Sequence, residues 1–226
     1  MSEKIVRNNP LPIKLPGKLQ AALFLLNILL IAIMTALGPL DLTLGANIRI
    51  VYLHGAWVWT GKFIFGLAAV AGLVSLLLPK ARQHWAEWSL ALGRTGLFFW
   101  LTYLPLSLVV MQVNWGGFFF DEPRWRISLM FGIVGTLLQI ALYLLNTPWI
   151  TSLANLLFGS ALWLMIDTAA TEMHPVSPIF GSDAVGIQVY FVALLVLVLL
   201  LGGQVAGWVM GEIVKHAPSN SLIYPR

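Results

Sequence analysis

The sequence contains six apolar runs, each long enough to cross a membrane as a helix. They lie at about residues 19–37, 51–78, 88–113, 127–145, 150–170 and 185–210. A helix needs roughly 20 mostly apolar residues to cross the hydrocarbon core of a bilayer. Because lipid offers no hydrogen bonds, a spanning backbone has to bond to itself, as a helix does. The sequence therefore predicts an all-α integral membrane protein with six transmembrane helices.

The composition supports this prediction and limits what lies outside the membrane. Hydrophobic residues make up 59% of the chain and charged residues 10%, whereas soluble domains are less apolar and more charged. The connections between spans are too short to bury a core of their own. We therefore expect one six-helix membrane domain over residues 1–226, with short cytoplasmic tails at about 1–18 and 211–226. The first apolar run is too long for a typical signal peptide, so we interpret it as a retained helix.

Basic residues predict the orientation of the chain. They lie before the first span, between the second and third, and after the sixth: Lys4, Arg7, Lys14, Lys18, Lys80, Arg82, Lys215 and Arg226. By the positive-inside rule these segments are cytoplasmic. We expect a multi-pass protein of a bacterial or archaeal plasma (inner) membrane with both termini in the cytoplasm. The bases form no long run, which argues against nucleic acid as a partner.

Two histidines are predicted to lie on the non-cytoplasmic face. His54 is near the outer end of the second span, and His174 is in the connection between the fifth and sixth spans. An ionisable ring within a membrane is costly unless it is paired, so His54 indicates a functional site; the alternative is a histidine hydrogen-bonded between helices. His174 could equally be a solvated loop residue. Together they form a candidate pair of iron ligands, since imidazole binds iron well.

An aromatic loop connects the third and fourth spans. It reads Trp-Gly-Gly-Phe-Phe-Phe-Asp-Glu-Pro-Arg over residues 115–124 and is followed by a tryptophan and an arginine. An interfacial belt of aromatic residues is one explanation. The paired glycines, however, would permit close approach to a flat partner. Aromatic faces could stack on a macrocycle, and Arg124 or Arg126 could pair with its propionates. This pattern favours heme over a metal ion or a sugar.

The chain resembles a family of heme-handling membrane proteins of cytochrome c maturation, the CcmC and CcsA group. The resemblance rests on the segment Arg-Ile-Val-Tyr-Leu-His ending at His54, on the aromatic loop, and on a histidine between the last two spans. It implies that His54 and His174 are axial heme ligands. It implies heme contacts for the loop, and our predicted cofactor-binding residues are Trp115, Gly116, Gly117, Phe118, Phe119, Glu122 and Arg124.

The loop also departs from the family pattern, which reads approximately Trp-Gly-x-Trp-Trp-x-Trp-Asp-x-Arg. Phe118 and Phe119 replace two tryptophans, Asp121 replaces a third, and Glu122 replaces the aspartate. Three indole donors are therefore missing, although most of the stacking surface remains. These changes weaken the expectation of heme delivery more than that of heme binding.

The resemblance implies a protein that is not an enzyme and that handles or presents heme b for c-type cytochrome assembly. With no cysteine, the chain could hold heme only without covalent attachment. Its expected partners are heme, the lipid bilayer and other membrane proteins of an assembly system. One alternative is a heme b subunit that passes electrons from quinol in a respiratory complex; another is a structural subunit with a vestigial site.

Two further polar residues carry weaker expectations. Lys62 lies within the second apolar run, where we expect it to bond to polar neighbours such as Gln139 or Asn27; the alternative is that it neutralises a carboxylate or a quinone-like ligand. Asp167 lies near the outer end of the fifth span. It could orient a histidine through a hydrogen bond, or it could simply be a solvated helix end.

Overall fold

The computed structural model describes residues 17–170, 172, 179–181 and 183–216. The described residues form six long helices: α1 Gly17–Leu37, α2 Ile48–Leu77, α3 Arg82–Trp115, α4 Pro123–Leu145, α5 Pro148–Thr168 and α6 Val185–His216. All six are long and apolar enough to cross a membrane. The predicted all-α, multi-pass membrane architecture is confirmed.

Local sequence explains where several of these helices begin and end. Gly116 ends α3 with a φ of 73°, and Asn146 ends α4 with a φ of 43°, both in the left-handed region. Glycine and asparagine tolerate this conformation better than other residues, so they commonly terminate helices. Prolines begin α4 and α5 at Pro123 and Pro148, where the missing N–H costs nothing. These residues therefore set where the helices end and begin on either side of the α3–α4 and α4–α5 connections.

Contacts between neighbouring helices run in opposite order along the two segments, as when α3 meets Ala68 of α2 at Ser89 but Trp57 at Thr102. The helices are therefore antiparallel, and hydrogen bonds join them. Asn27 of α1 bonds to Leu197 of α6, and Trp57 of α2 bonds to Thr102 of α3. Trp100 of α3 bonds to Ser128 of α4, and Gln139 of α4 bonds to Asn155 of α5. The aromatic loop therefore lies at one end of the bundle, here called the loop end. Gly17 and His216 lie at the other, here called the terminal end.

A buried polar network joins four helices in the half of the bundle nearer the terminal end. Its members are Ser75 on α2, Ser89 on α3, Gln139 on α4, and Ser152 and Asn155 on α5. The Asn155 amide donates to the backbone carbonyl and the hydroxyl of Ser89, at 3.0 and 3.1 Å, and accepts from Gln139 at 3.1 Å. The hydroxyls of Ser152 and Ser75 lie 2.7 Å apart. Hydrogen bonds of this kind hold helices together in lipid, where the hydrophobic effect does not.

Helices α2 and α5 approach each other closely because glycines lie at their contact. A Cβ added at Gly159 of α5 would stand 2.6 Å from the backbone oxygen of Phe65 on α2 and 3.0 Å from the Cβ of Ala69. Gly72 of α2 meets the backbone of Ser152 in the same way. Small residues at a helix contact are typical of membrane bundles, because backbone proximity maximises van der Waals attraction.

Helix α5 stops well short of the point that α2 reaches at the loop end. The Lys62 ammonium of α2 bonds to the Asp167 carboxylate of α5, and α5 ends one residue later, at Thr168. Helix α2 begins at Ile48, so it extends roughly 21 Å past this point at 1.5 Å per residue. The segment of α2 that carries His54 therefore extends past the end of α5, and its described ring contacts are with Tyr103 of α3 and Tyr190 of α6.

Candidate functional site

Gly116 and Gly117 open the aromatic loop, and they have different structural settings. Gly116 has a φ of 73°, and its N–H donates to the carbonyl of Gln112 at 3.1 Å. Its conformation alone explains why glycine is there. A Cβ at Gly116 would meet nothing within 4 Å, and one at Gly117 would touch only the Phe119 ring, at 3.9 Å, among the residues that the structure describes. The backbone here is open to a partner.

The phenylalanines of the loop present aromatic surface to the outside. Phe118 is 53% exposed and Phe120 is 51% exposed. Their ring centroids lie 6.0 Å apart with the planes inclined by 30°. Phe120 also packs edge-on against Trp125 of α4, at 5.1 Å. Aromatic surface this exposed is available to stack on a planar group.

A shallow cavity of about 200 Å³ lies beside these rings. It is lined by Phe118, Phe119, Phe120, Asp121, Glu122 and Glu172. Pockets that enclose drug-sized ligands usually measure 300–1,000 Å³. A larger cavity of about 440 Å³ shares Phe120 and Asp121 with the shallow one and is otherwise lined by Trp125, Arg126 and apolar residues of α4. A macrocycle stacked on the half-exposed loop phenylalanines would keep one edge accessible.

The first turn of α4 brings charged groups against the loop. Glu122 is 4% exposed, and one of its carboxylate oxygens accepts the backbone N–H of Glu172 at 3.5 Å. The Nε of Arg124 and the indole Nε1 of Trp125 are buried, and neither has a hydrogen-bond partner among the described residues. Arg126 is exposed and forms an ion pair with Asp121 at 3.6 Å. Of the two arginines, Arg124 is the better candidate to bind an anion, because its buried donor gains most from a partner.

His54 projects from α2 toward α3 and lies against Tyr103. The two ring centroids are 5.3 Å apart. The Tyr103 hydroxyl donates to the Ser128 hydroxyl of α4 at 2.8 Å, and the Trp100 indole donates to the Ser128 carbonyl at 2.9 Å. His54 is therefore linked through Tyr103 to the beginning of α4, one turn from Arg124. The residues described around the loop cavity do not include His54.

The other histidines divide into two cases. His174 lies outside the described residues, so its predicted role as a ligand stays a prediction. His84 and His216 lie in α3 and α6 at the terminal end, away from the aromatic loop. Within the described part of the chain, no group of three or more histidine, cysteine, aspartate or glutamate side chains is placed to hold a metal ion.

Lys62 bonds to a polar neighbour, as expected, but our expectation for which neighbour is wrong. Its ammonium bonds to Asp167, whereas Gln139 bonds to Asn155 and Asn27 bonds to α6. The expectation failed because a sequence does not show how far one helix is displaced along another. The displacement of α5 brings a residue from the end of one helix level with the middle of its neighbour.

Sequence reasoning also missed Tyr103 as a member of this region, and it noted Trp125 only as a residue that flanks the loop. Tyr103 lies in an apolar run and is 5% exposed, so nothing but its hydroxyl distinguished it from the surrounding core. Trp125 follows the loop directly, and its indole could have been recognised as a donor. Comparison with protein-family models, with curated proteins and with solved structures finds no match to this chain.

Proposed function

We propose that this protein binds heme b without covalent attachment at the loop end of the bundle and presents it on the non-cytoplasmic side of the membrane for c-type cytochrome assembly. The observation that carries the proposal is the buried Nε of Arg124, which has no described hydrogen-bond partner and directly precedes Trp125, the residue that packs against the half-exposed Phe120. A buried donor without a partner is costly. An anionic group attached to a flat apolar body would satisfy both features.

The aromatic and basic groups at the loop match parts of heme, and His54 lies outside the loop cavity. The macrocycle would stack on Phe118 and Phe120, whose rings are half exposed. A propionate would accept hydrogen bonds from Arg124, which a guanidinium can form in pairs. His54 would ligate iron, with His174 as the second ligand that the family resemblance implies. Bound heme would supply the iron and the conjugated ring; the chain would hold, orient and release it.

The exposure of the loop phenylalanines favours presentation over electron transfer. Phe118 and Phe120 are half exposed, so the edge of a heme stacked on them would stay accessible to an assembly partner. A heme that only passes electrons benefits from burial, because solvent exposure is one of the factors that set its potential. The geometry therefore supports the assembly role better than the respiratory alternative.

The direct test is reconstitution of the purified protein with heme. We expect low-spin bands in the reduced spectrum. His54→Ala and His174→Ala should each lower heme content or convert the iron to high spin, because each removes an axial ligand. His84→Ala and His216→Ala are matched controls at the other end of the bundle. Equal heme retention in all four variants would contradict the assignment.

Sidedness is tested separately with single cysteines, which the natural chain lacks. Leu42 is exposed in the loop-end connection before α2, and Lys80 is exposed between α2 and α3. An impermeant thiol reagent should label Leu42→Cys from the non-cytoplasmic side and Lys80→Cys from the cytoplasmic side. The reverse pattern would place the aromatic loop in the cytoplasm and exclude presentation of heme to c-type cytochromes outside.

Deletion of the gene distinguishes delivery from electron transfer. If the chain presents heme, its loss should abolish covalent heme in the cell's c-type cytochromes and leave heme b proteins intact. If it is a respiratory subunit, c-type cytochromes should mature normally while quinol oxidation falls. Complementation with the wild-type gene, and not with the His54→Ala variant, ties the phenotype to the site.

A further inference from the structure

The Lys62 side chain is enclosed between two helices and two tryptophans. It is 5% exposed and bonds to the Asp167 carboxylate, which is 55% exposed. Its nitrogen lies 4.8 Å from the ring centroid of Trp59 and 4.3 Å from that of Trp163. Attraction to aromatic faces is strongest for a desolvated cation. One ammonium thus contacts side chains of both α2 and α5.

A second link joins the same helices at this level. The Trp163 indole donates to the backbone carbonyl of Lys62 at 2.8 Å. Gly66 allows this approach, because a Cβ there would stand 3.0 Å from the indole nitrogen. The ammonium also lies near the C-terminus of α5, where the helix dipole favours positive charge. These contacts all act on the last two turns of α5.

The chain leaving α5 reaches the aromatic loop within a few residues. Asp167 is followed by the last helical residue, Thr168. Glu172 then donates its N–H to the Glu122 carboxylate at 3.5 Å, and both of these residues line the loop cavity. The position of the loop end of α5 therefore determines where one wall of the cavity can lie.

We propose that Lys62 is a positioning residue: its ion pair with Asp167 fixes the loop end of α5 against α2, and so places Glu172 beside Glu122 at the aromatic loop. An ion pair with a buried partner such as Lys62 is poor evidence for stability, because an apolar side chain of similar volume often packs at lower cost. Fixing the register between two elements is its best-attested use. The bearing of this placement on heme rests on the proposed function.

The test measures a distance that the ion pair should hold constant. One spin label is attached at Ala170→Cys, beyond α5, and the other at Val113→Cys, near the end of α3; both sites are exposed. The distance between the two labels reports the position of the chain after α5 relative to α3. We expect one narrow distance distribution in the wild type, in Lys62→Arg and in the surface control Lys80→Met. In Lys62→Met and in the double variant Lys62→Met/Asp167→Asn the distribution should broaden at least twofold, with helix content unchanged.

A narrow, unshifted distribution in Lys62→Met would overturn the positioning role. If Lys62→Met does not fold, Asp167→Asn decides the question in the same way, because Asp167 is exposed and its amide keeps the volume. The heme readout is separate: in reconstituted protein, Lys62→Met should lower the low-spin fraction, and Lys62→Arg should restore it. Should the wild type take up no heme, the proposed function fails while the distance measurement still decides the role of Lys62.

Discussion

Polar side chains in the two halves of the bundle differ in their hydrogen-bond partners and in their surroundings. Toward the terminal end, polar side chains bond to one another, as Asn155 does to Ser89 and Gln139. Toward the loop end, the Arg124 guanidinium and the Trp125 indole keep buried donors without described partners, beside half-exposed phenylalanines. Buried side-chain nitrogens without described partners occur at the terminal end too, on Arg82 and His84. What distinguishes the loop end is the exposed aromatic surface beside them.

This difference suggests a division between holding the helices together and binding a ligand. Closely packed small residues and internal hydrogen bonds stabilise helix contacts in lipid. The half-exposed phenylalanines of the loop face outward instead of packing internally, so they contribute little to the free energy of unfolding. Substitutions among the packed and hydrogen-bonded residues toward the terminal end should therefore lower the free energy of unfolding. Substitutions at the aromatic loop should change ligand affinity and leave the free energy of unfolding nearly constant.

The largest effect on stability is expected at the contact between α2 and α5. Gly159→Ala would place a Cβ 2.6 Å from the Phe65 backbone oxygen, which cannot move aside without shifting α2. We expect a loss of roughly 2–3 kcal/mol in the free energy of unfolding, as for other overpacked cores. Gly203→Ala on α6 is the control, since its added Cβ meets nothing within 4 Å of the described residues. Equal unfolding midpoints in detergent for both variants would contradict the close contact.

The buried polar network should give the next largest loss. Asn155→Leu removes hydrogen bonds to α3 and α4 and leaves the Gln139 amide without its acceptor. We expect a cost of about 1–3 kcal/mol. Asn114→Leu is the matched control at the loop end, because the Asn114 amide bonds only to Val110 of its own helix among the described residues; its cost should stay below about 0.5 kcal/mol. If the two substitutions cost the same, the two halves do not differ as described.

The fold could be predicted from the sequence because each span is encoded locally. Six apolar runs separated by proline, glycine and charged residues give helix number and approximate bounds without any knowledge of packing. The errors are at the ends: α3 begins at Arg82 and α6 continues to His216, beyond the predicted apolar runs. Helical hydrogen bonding continues past the edge of an apolar run wherever nothing interrupts it, so hydropathy alone underestimates these helices.

The candidate site was predictable only in part. Loop composition identified the aromatic residues and Arg124, and these lie together at one end of the bundle. The setting of His54 against Tyr103 depends on how α2 and α3 pack, and the partner of Lys62 depends on the displacement of α5 along α2. Relative displacement of helices arises from side-chain packing over their whole length, and no short pattern in the sequence carries it.

At the loop end, Arg124→Gln should weaken heme binding while leaving stability nearly unchanged. A hydrogen bond to a charged group is worth roughly 1.5–3 kcal/mol, so we expect the Kd for heme to rise by about 10-fold or more. Arg126→Gln is the control: this side chain is exposed and already paired with Asp121, and such surface pairs contribute little. Heme titration followed by absorbance measures both variants. Equal affinities for Arg124→Gln and the wild type would remove Arg124 from the site.

The smallest effect is expected when an indole is returned to the loop. Phe118 is 53% exposed, so Phe118→Trp should fit without overpacking and change the free energy of unfolding by less than about 0.5 kcal/mol. Its larger face and added N–H should tighten heme binding by roughly 2- to 5-fold, because stacking and one further hydrogen bond contribute modestly. Phe63→Trp on α2, 47% exposed, adds the same group outside the loop and should leave heme affinity unchanged. A gain in Phe118→Trp alone would show that the loop contacts heme, since a general effect of added aromatic surface would raise the affinity of both variants.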